Sequence, residues 1–152
     1  MKQFQYRLET VLAYKTQVLD NLKTEHAALL QNVNRKQEEI QGLNRDLAGM
    51  EDDFDQTKEQ GATIEDYRLF DMCIGRMEQI IDEENERLKV LKKQEDAKKQ
   101  EVISAKVDTS KFEKLKDKKY QEYQKAVAKA DEAFIEEFVS NTARQFRHQH
   151  RG

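Results

Sequence analysis

The side chains best suited to chemistry are few: one thiol, Cys73, and three imidazoles, His26, His148 and His150. A nucleophilic cysteine needs a base in hydrogen-bond reach and donors for the oxyanion, and the sequence supplies neither, nor a glycine-rich loop for phosphate. Cys73 stands one residue before Ile74, a rung of the apolar ladder described below, so the spacing predicts a packed thiol. The stretch DFDQTKEQGATI, residues 53–64, sets Asp53 and Asp55 at the first and third positions of a calcium loop. Lys58 then stands where that loop requires Gly, and Ile64 where it requires a bidentate Glu. His148 and His150 form an HxH pair within RHQHRG, read here as a frayed end rather than as ligands. His26 falls on the apolar ladder with no Cys or His close in sequence, as a register-setting polar residue would. No catalytic residue, metal site or cofactor is therefore predicted, and the chain is not expected to be an enzyme.

Those residues must be carried by long helices. The chain has 152 residues, of which 38% are charged and 37% hydrophobic, without Trp or Pro and with a mean hydropathy of -1.00. Such a composition is poor material for a globular core but suits a coiled coil, which buries only a narrow seam. Steps of alternately four and three residues through 8, 12, 15, 19, 22, 26, 29, 33, 36, 40, 43, 47, 50 and 54 meet an apolar residue at eleven of fourteen positions. A second ladder runs through 67, 70, 74, 77, 81, 84, 88 and 91 and thins out through Val102, Ala105 and Phe112. A mean step near 3.5 predicts left-handed supercoiling. Between the ladders, Gly61 suits a left-handed helix end, and Thr63 with Asp66 resembles a capping box. The sequence thus predicts an all-α chain of one domain, residues 1–152. Its two long helices, about 3–57 and about 64–143, form an antiparallel left-handed coiled-coil hairpin, with a turn at about 58–63 and a flexible tail at 144–152. With one cysteine, no secretory segment and no 18-residue apolar run, the protein is expected to be soluble and cytosolic.

A turn near residue 60 places Leu8 near Glu113 and Met1 near Tyr120, so helix 2 must overhang. Tyr120, Tyr123, Val127, Ala130, Phe134 and Phe138 then form a stripe beyond the reach of helix 1, and an uncovered stripe suggests another chain. Arg7, Lys114, Lys118 and Lys119 cluster near the same end. Charge is segregated along the chain. Residues 38–86 carry 4 Lys/Arg against 16 Asp/Glu, residues 1–37 carry 6 against 3, and residues 87–129 carry 14 against 7. The acidic stretch forms the turn end, where Tyr67 and Phe70, flanked by Asp66 and Asp71, either present a surface or close the seam against Met50 and Phe54.

The segments FQYRLETVLAYK, GATIEDYRLFDMCIGRMEQII and EVISAKVDTSKFEKLKDKKYQEYQKAVAKADEAFIEEF together resemble the FliJ family of the flagellar type III export apparatus, over nearly the whole chain. Phe4, Arg7 and Leu8 match an N-terminal aromatic, Arg, Leu cluster. Glu113, Leu115, Tyr123, Glu136 and Glu137 match a Glu-x-Leu element with a following Tyr and acidic residues. Where relatives often carry an Arg-rich step, this chain has Lys106 to Lys111 with Val107, Asp108 and Thr109 between them.

The resemblance implies a central stalk and activator of the hexameric flagellar export ATPase, linking it to the cytoplasmic domain of the membrane export gate and escorting export chaperones. It implies a cytoplasmic protein peripherally associated with the inner face of the membrane at the flagellar base, and an influence on motility and chemotaxis. On this reading the ATPase-binding residues are Phe4, Arg7, Lys114, Lys118, Lys119, Tyr120, Tyr123, Val127, Phe134 and Phe138, and the gate- or chaperone-binding residues are Asp66, Tyr67, Phe70 and Asp71. Weak self-association through the stripe is a further expectation. The alternative is a coiled-coil scaffold or nucleic-acid-associated adaptor, since residues 87–129 interleave Lys with Phe112, Tyr120 and Tyr123. That stretch has no Arg after Arg87 and spaces acids among its lysines, which weakens a phosphate-binding face. Nucleic acid is therefore not expected as a partner.

Overall fold

A computed structural model describes residues 2–150. The described residues form two helices and no strand: α1, Glu9–Gln60, and α2, Ile64–His150. The two pack against each other antiparallel, as the ladders predict. Leu19–Ser104 form one compact unit, and residues 2–18 with 105–150 form another.

The three-residue connection follows from local chemistry. Gly61 takes a φ of 95°, a left-handed conformation that a Cβ would strain, and its N–H donates to the Lys58 carbonyl at 3.2 Å. Thr63 and Asp66 then cap α2 reciprocally. The Asp66 N–H donates to Thr63 Oγ1 at 3.1 Å, and the Thr63 N–H donates to Asp66 Oδ2 at 3.0 Å. Lys58, in the last turn of α1, lies over the Phe54 ring at 4.1 Å from its centroid.

In the Leu19–Ser104 unit, Leu19, Val33 and Ile40 of α1 and Ile81 and Val102 of α2 are buried. Every rung of the first ladder is buried or half-buried, and the residues on either side of most rungs are exposed. Among the described residues no side chain is completely removed from solvent, as expected where only two helices supply the cover. In the other unit Leu12 and Thr109 are buried, and Thr109 Oγ1 donates to the Lys15 carbonyl at 3.4 Å.

Three boundaries differ from the sequence expectation. First, α1 begins at Glu9 rather than near residue 3, and residues 2–6 are non-helical. Tyr6 donates its hydroxyl to the Phe112 carbonyl at 3.0 Å, and Tyr123 donates its hydroxyl to the Lys2 carbonyl at 2.7 Å. Phe112 and Tyr123 are separated by about 16 Å along α2, a span that extended backbone from Tyr6 to Lys2 approaches and that helical backbone, at about 1.5 Å per residue, would fall far short of. Second, α1 continues to Gln60, so the connection is residues 61–63 rather than 58–63. Third, residues 144–150 of the expected tail are helical, in a stretch free of Gly and Pro where Thr142 Oγ1 donates back to the Phe138 carbonyl at 2.9 Å. Met1, which the register sets near Tyr120, and Arg151 and Gly152 of the expected tail lie outside the described residues.

Candidate protein-interaction surfaces

At the end formed by residues 2–8 and α2, the non-helical lead lays Phe4 against two tyrosines. Its ring lies 5.2 Å from Tyr120, edge-on, and 5.6 Å from Tyr123, whose ring in turn is 6.4 Å from Tyr120. This corrects in part the expectation that both tyrosines are uncovered, since Tyr123 is half-buried while Tyr120 remains 45% exposed. Helix α1 does not reach them, but the non-helical segment before it does. Beside the cluster, Arg7, Leu8, Leu115, Lys119 and Tyr123 help to line an open groove of about 910 Å³. Lys119 reaches Glu122 at 3.5 Å, and Lys114 and Lys118 are exposed. Lys116 bridges to Glu9 at 2.8 Å, and Lys15 to Asp108 at 2.6 Å.

Beyond Tyr123, α2 carries its apolar side chains into solvent. Val127 is half-buried, whereas Phe134 is 70% and Phe138 64% exposed, with Ile135 and Val139 beside them at 59% and 58%. Phe138, Val139, Thr142 and Phe146 help to line a groove of about 440 Å³ on this face. The predicted stripe is thus divided into Tyr120 and Tyr123, which Phe4 contacts although Tyr120 remains 45% exposed, and Phe134 and Phe138, which are open.

The turn end carries the other predicted surface. Phe54 of α1 stacks on Phe70 at 4.9 Å and meets Tyr67 edge-on at 5.4 Å, so both rings also close the seam. Tyr67 remains 46% exposed and, with Arg68, Asp71, Phe54 and Lys58, lines a shallow groove. Asp71 is exposed, while the Asp66 carboxylate is committed to the cap of α2.

Between these ends the seam contains polar groups in specific pairs. His26 Nε2 and Glu95 Oε1 are 2.8 Å apart, as a seam polar pair rather than a metal site. Lys36 Nζ donates to Glu84 Oε2 at 2.6 Å and to Glu39 Oε2 at 3.0 Å, and Arg87 also donates to Glu84. Glu84 is only 7% exposed. The hydrogen bond from Lys36 holds the Glu84 carboxyl below its ordinary value, against the opposing effect of burial. The same bond, with that to Glu39, raises the Lys36 ammonium. Lys98 is raised likewise by Glu101 and Glu25, at 2.8 Å and 2.9 Å. The ladders place Lys36 and Glu84 on the seam but do not reveal their pairing. The signal was present, because their numbers sum to 120, close to the register that faces Leu8 with Glu113.

Cys73 is exposed, which corrects the expectation of a packed thiol. It precedes seam residue Ile74 by one position, and one residue turns the side chain by about 100° around the helix. Among the described residues no group of three or more His, Cys, Asp or Glu could hold a metal ion, and no helix is long and apolar enough to cross a membrane.

No curated protein and no solved structure matches the chain significantly. Comparison with protein families does give a match, to the flagellar FliJ protein family, over residues 4–149. That span takes in the aromatic end, the paired seam, the turn and the open face of α2. The chain belongs to the FliJ family, a family of non-catalytic components associated with flagellar type III export.

Proposed function

We propose that the protein is the central stalk and activator of the hexameric flagellar export ATPase, that it links the ATPase to the export gate, and that it escorts export chaperones. It works in the cytoplasm, at the inner face of the membrane at the flagellar base, and through flagellum assembly it affects motility and chemotaxis. The observation that carries the reading is the unit of residues 2–18 with 105–150. It combines an aromatic cluster of Phe4, Tyr120 and Tyr123, the cations Arg7, Lys114, Lys118 and Lys119, and the exposed rings Phe134 and Phe138. Large exposed rings beside cations suit a protein partner, since aromatic anchors supply contact energy and rim charges speed encounter. Val127, half-buried between the two aromatic groups, completes the surface.

ATP hydrolysis by the cognate export ATPase tests the reading. The pair Phe134→Ala with Phe138→Ala is expected to abolish stimulation at any salt concentration. Lys118→Glu with Lys119→Glu is expected to slow association, most at low ionic strength. Tyr123→Ala with Phe134→Ala should also abolish stimulation, but Tyr123 holds Lys2, so the first pair isolates the contact more cleanly. Full stimulation by both aromatic variants would overturn the assignment. Salt-steep binding to nucleic acid without stimulation would favour the adaptor reading.

The turn end is proposed as the gate- or chaperone-binding surface, through Tyr67, Phe70, Asp66 and Asp71. Asp71→Lys is the informative variant, because Asp66 also caps α2. Unchanged gate and chaperone binding in Asp71→Lys would leave Tyr67 and Phe70 the seam-closing role that their contacts with Phe54 support.

A further inference from the structure

The open face of α2 beyond Tyr123 has a charge pattern that complements itself. Phe134, Ile135, Phe138 and Val139 are each more than half exposed and share one side of the helix. The described N-terminal segment ends against Tyr123, so it leaves this face uncovered. The charges flanking the face are separated along the chain. Glu132, Glu136 and Glu137 lie in its first half and Arg144 and Arg147 in its second half, with Lys129 just before it and Asp131 at its leading edge.

We infer that a second copy of this chain occupies the face, running antiparallel, with the two-fold axis close to Ser140 and Asn141. A two-fold axis there brings together residues whose numbers sum to about 281, and each contact occurs twice. At about 100° per residue, Glu137 and Arg144 lie on the same flank of the apolar sector, separated by about 20° around the axis. They have opposite charge, and 137 with 144 sums to 281, so each meets the other across the interface. On the opposite flank, Arg147 faces the turn of the partner that carries Glu132 and Glu136. In the centre, Phe134 comes across from the turn containing Arg147 and Phe146, and Phe138 across from Ala143 and Thr142. The small side chains at 140–143, Ser, Asn, Thr and Ala, leave room for the rings of the second copy.

A parallel, in-register pair would instead turn opposite flanks toward each other, setting Glu137 beside Glu136 and Arg144 beside Arg147 at similar heights. Like charges in register disfavour that arrangement, so the same residues that stabilise one orientation select against the other. The contact is a single helix pair of about five turns, far smaller than an obligate interface, so the dimer is weak and concentration-dependent. The inference goes beyond the ATPase reading and stands without it, because it concerns the chain alone. If both hold, the ATPase and the second copy compete for Phe134 and Phe138.

Sedimentation equilibrium of the full-length chain over a wide concentration range is the test, with far-UV circular dichroism to confirm that each variant remains helical. The wild type is expected to dimerise reversibly. Glu137→Arg alone and Arg144→Glu alone should each weaken the dimer by about tenfold, since both symmetry-related exposed pairs change from attraction to repulsion. The double variant Glu137→Arg with Arg144→Glu should recover the dimer. An equimolar mixture of the two single variants should form a heterodimer that neither forms by itself. Phe138→Ser should leave a monomer of unchanged helicity. A wild type that stays monomeric at every concentration, or a dimer indifferent to the charge exchange, would overturn the inference.

Discussion

The unit of Leu19–Ser104 and the unit of residues 2–18 with 105–150 are built from the same two helices but differ in what their apolar residues face. In the first, Leu19, Val33, Ile40, Ile81 and Val102 are buried, and the charged groups on the seam are paired. In the second, Leu12 and Thr109 are buried, whereas Phe134, Ile135, Phe138 and Val139 lie in solvent. Long helices draw little stability from propensity alone and rely on packing of an apolar face. The first unit obtains that packing from its own chain. The second keeps a face whose packing has to come from elsewhere, and it is there that the ATPase and a second copy are proposed to act.

The largest effect that sharpens this contrast is on stability. Ile40 is 6% exposed, so Ile40→Ala should cost about 2 to 4 kcal/mol, from lost burial and the space left behind. Leu43 occupies the next rung but is only half-buried, and Leu43→Ala should cost about 1 to 2 kcal/mol because water already reaches it. Phe138→Ser, at a much larger side chain, should change stability by no more than about 0.5 kcal/mol. Urea denaturation followed by circular dichroism, at concentrations where the chain is monomeric, measures all three. Comparable losses at Ile40 and Phe138 would mean that the open face is packed in the free protein, and the contrast between the units would fail.

The contrast was legible in the sequence to different degrees. The seam could be read rung by rung, because a period near 3.5 is imposed by helix geometry and each rung reports independently; Ile40, Leu43 and Val33 all fall where the ladder places them. Gly61 and the Thr63–Asp66 cap were equally readable, since a left-handed turn and a reciprocal cap need only local chemistry. The N-terminal lead was not. FQYRLETVL has the spacing of a helix, and only tertiary contacts with Phe112, Tyr120 and Tyr123 hold residues 2–6 in non-helical backbone. Nor could periodicity show that Phe54 divides its contact between Tyr67 and Phe70, because the two rings compete for one neighbour. At the open face the sequence showed that the rings were uncovered, and the exposure of Phe134 and Phe138 agrees, but what covers them is a property of a second molecule.

A second, smaller effect separates the units by pH. Glu84 is held below its ordinary value of 4.5 by the Lys36 hydrogen bond, so its contribution to stability is complete above that value. It is lost as the pH falls through the lower value Glu84 has in the folded chain. Lys36, raised above 10.5, contributes fully below that value and loses its contribution only as the pH climbs through a still higher one. Between the two the pair should give a plateau. The melting temperature should therefore drop between about pH 5 and pH 2 more steeply in the wild type than in a variant combining Lys36→Met with Glu84→Met, where neither charge remains to titrate. Equal slopes would show that the pair adds nothing to acid stability, and would remove the polar seam from the contrast.

The smallest effect concerns the boundary of the open surface, where the lead stops and exposure begins. Tyr6→Phe removes one donor to the Phe112 carbonyl, which already belongs to α2, so no buried group is left without a partner. The expected loss is at the low end of about 0.5 to 1.5 kcal/mol and is local, because residues 2–6 lie outside α1. Tyr123→Phe should cost less still, since water can reach the Lys2 carbonyl that it exposes. Phe4→Ala removes two ring contacts and should release the segment most completely, baring Tyr120 and Tyr123 without altering α2. Amide hydrogen exchange reads this directly. Protection at residues 6–9 should fall in the order Phe4→Ala, Tyr6→Phe, Tyr123→Phe, with no change among the amides of residues 30–45. If protection in that central stretch fell as well, the lead would be part of one cooperative structure with the seam. If protection at 6–9 stayed at its wild-type level in all three variants, the lead would not be held by these contacts, and the open face would begin at Tyr120 rather than beyond Tyr123.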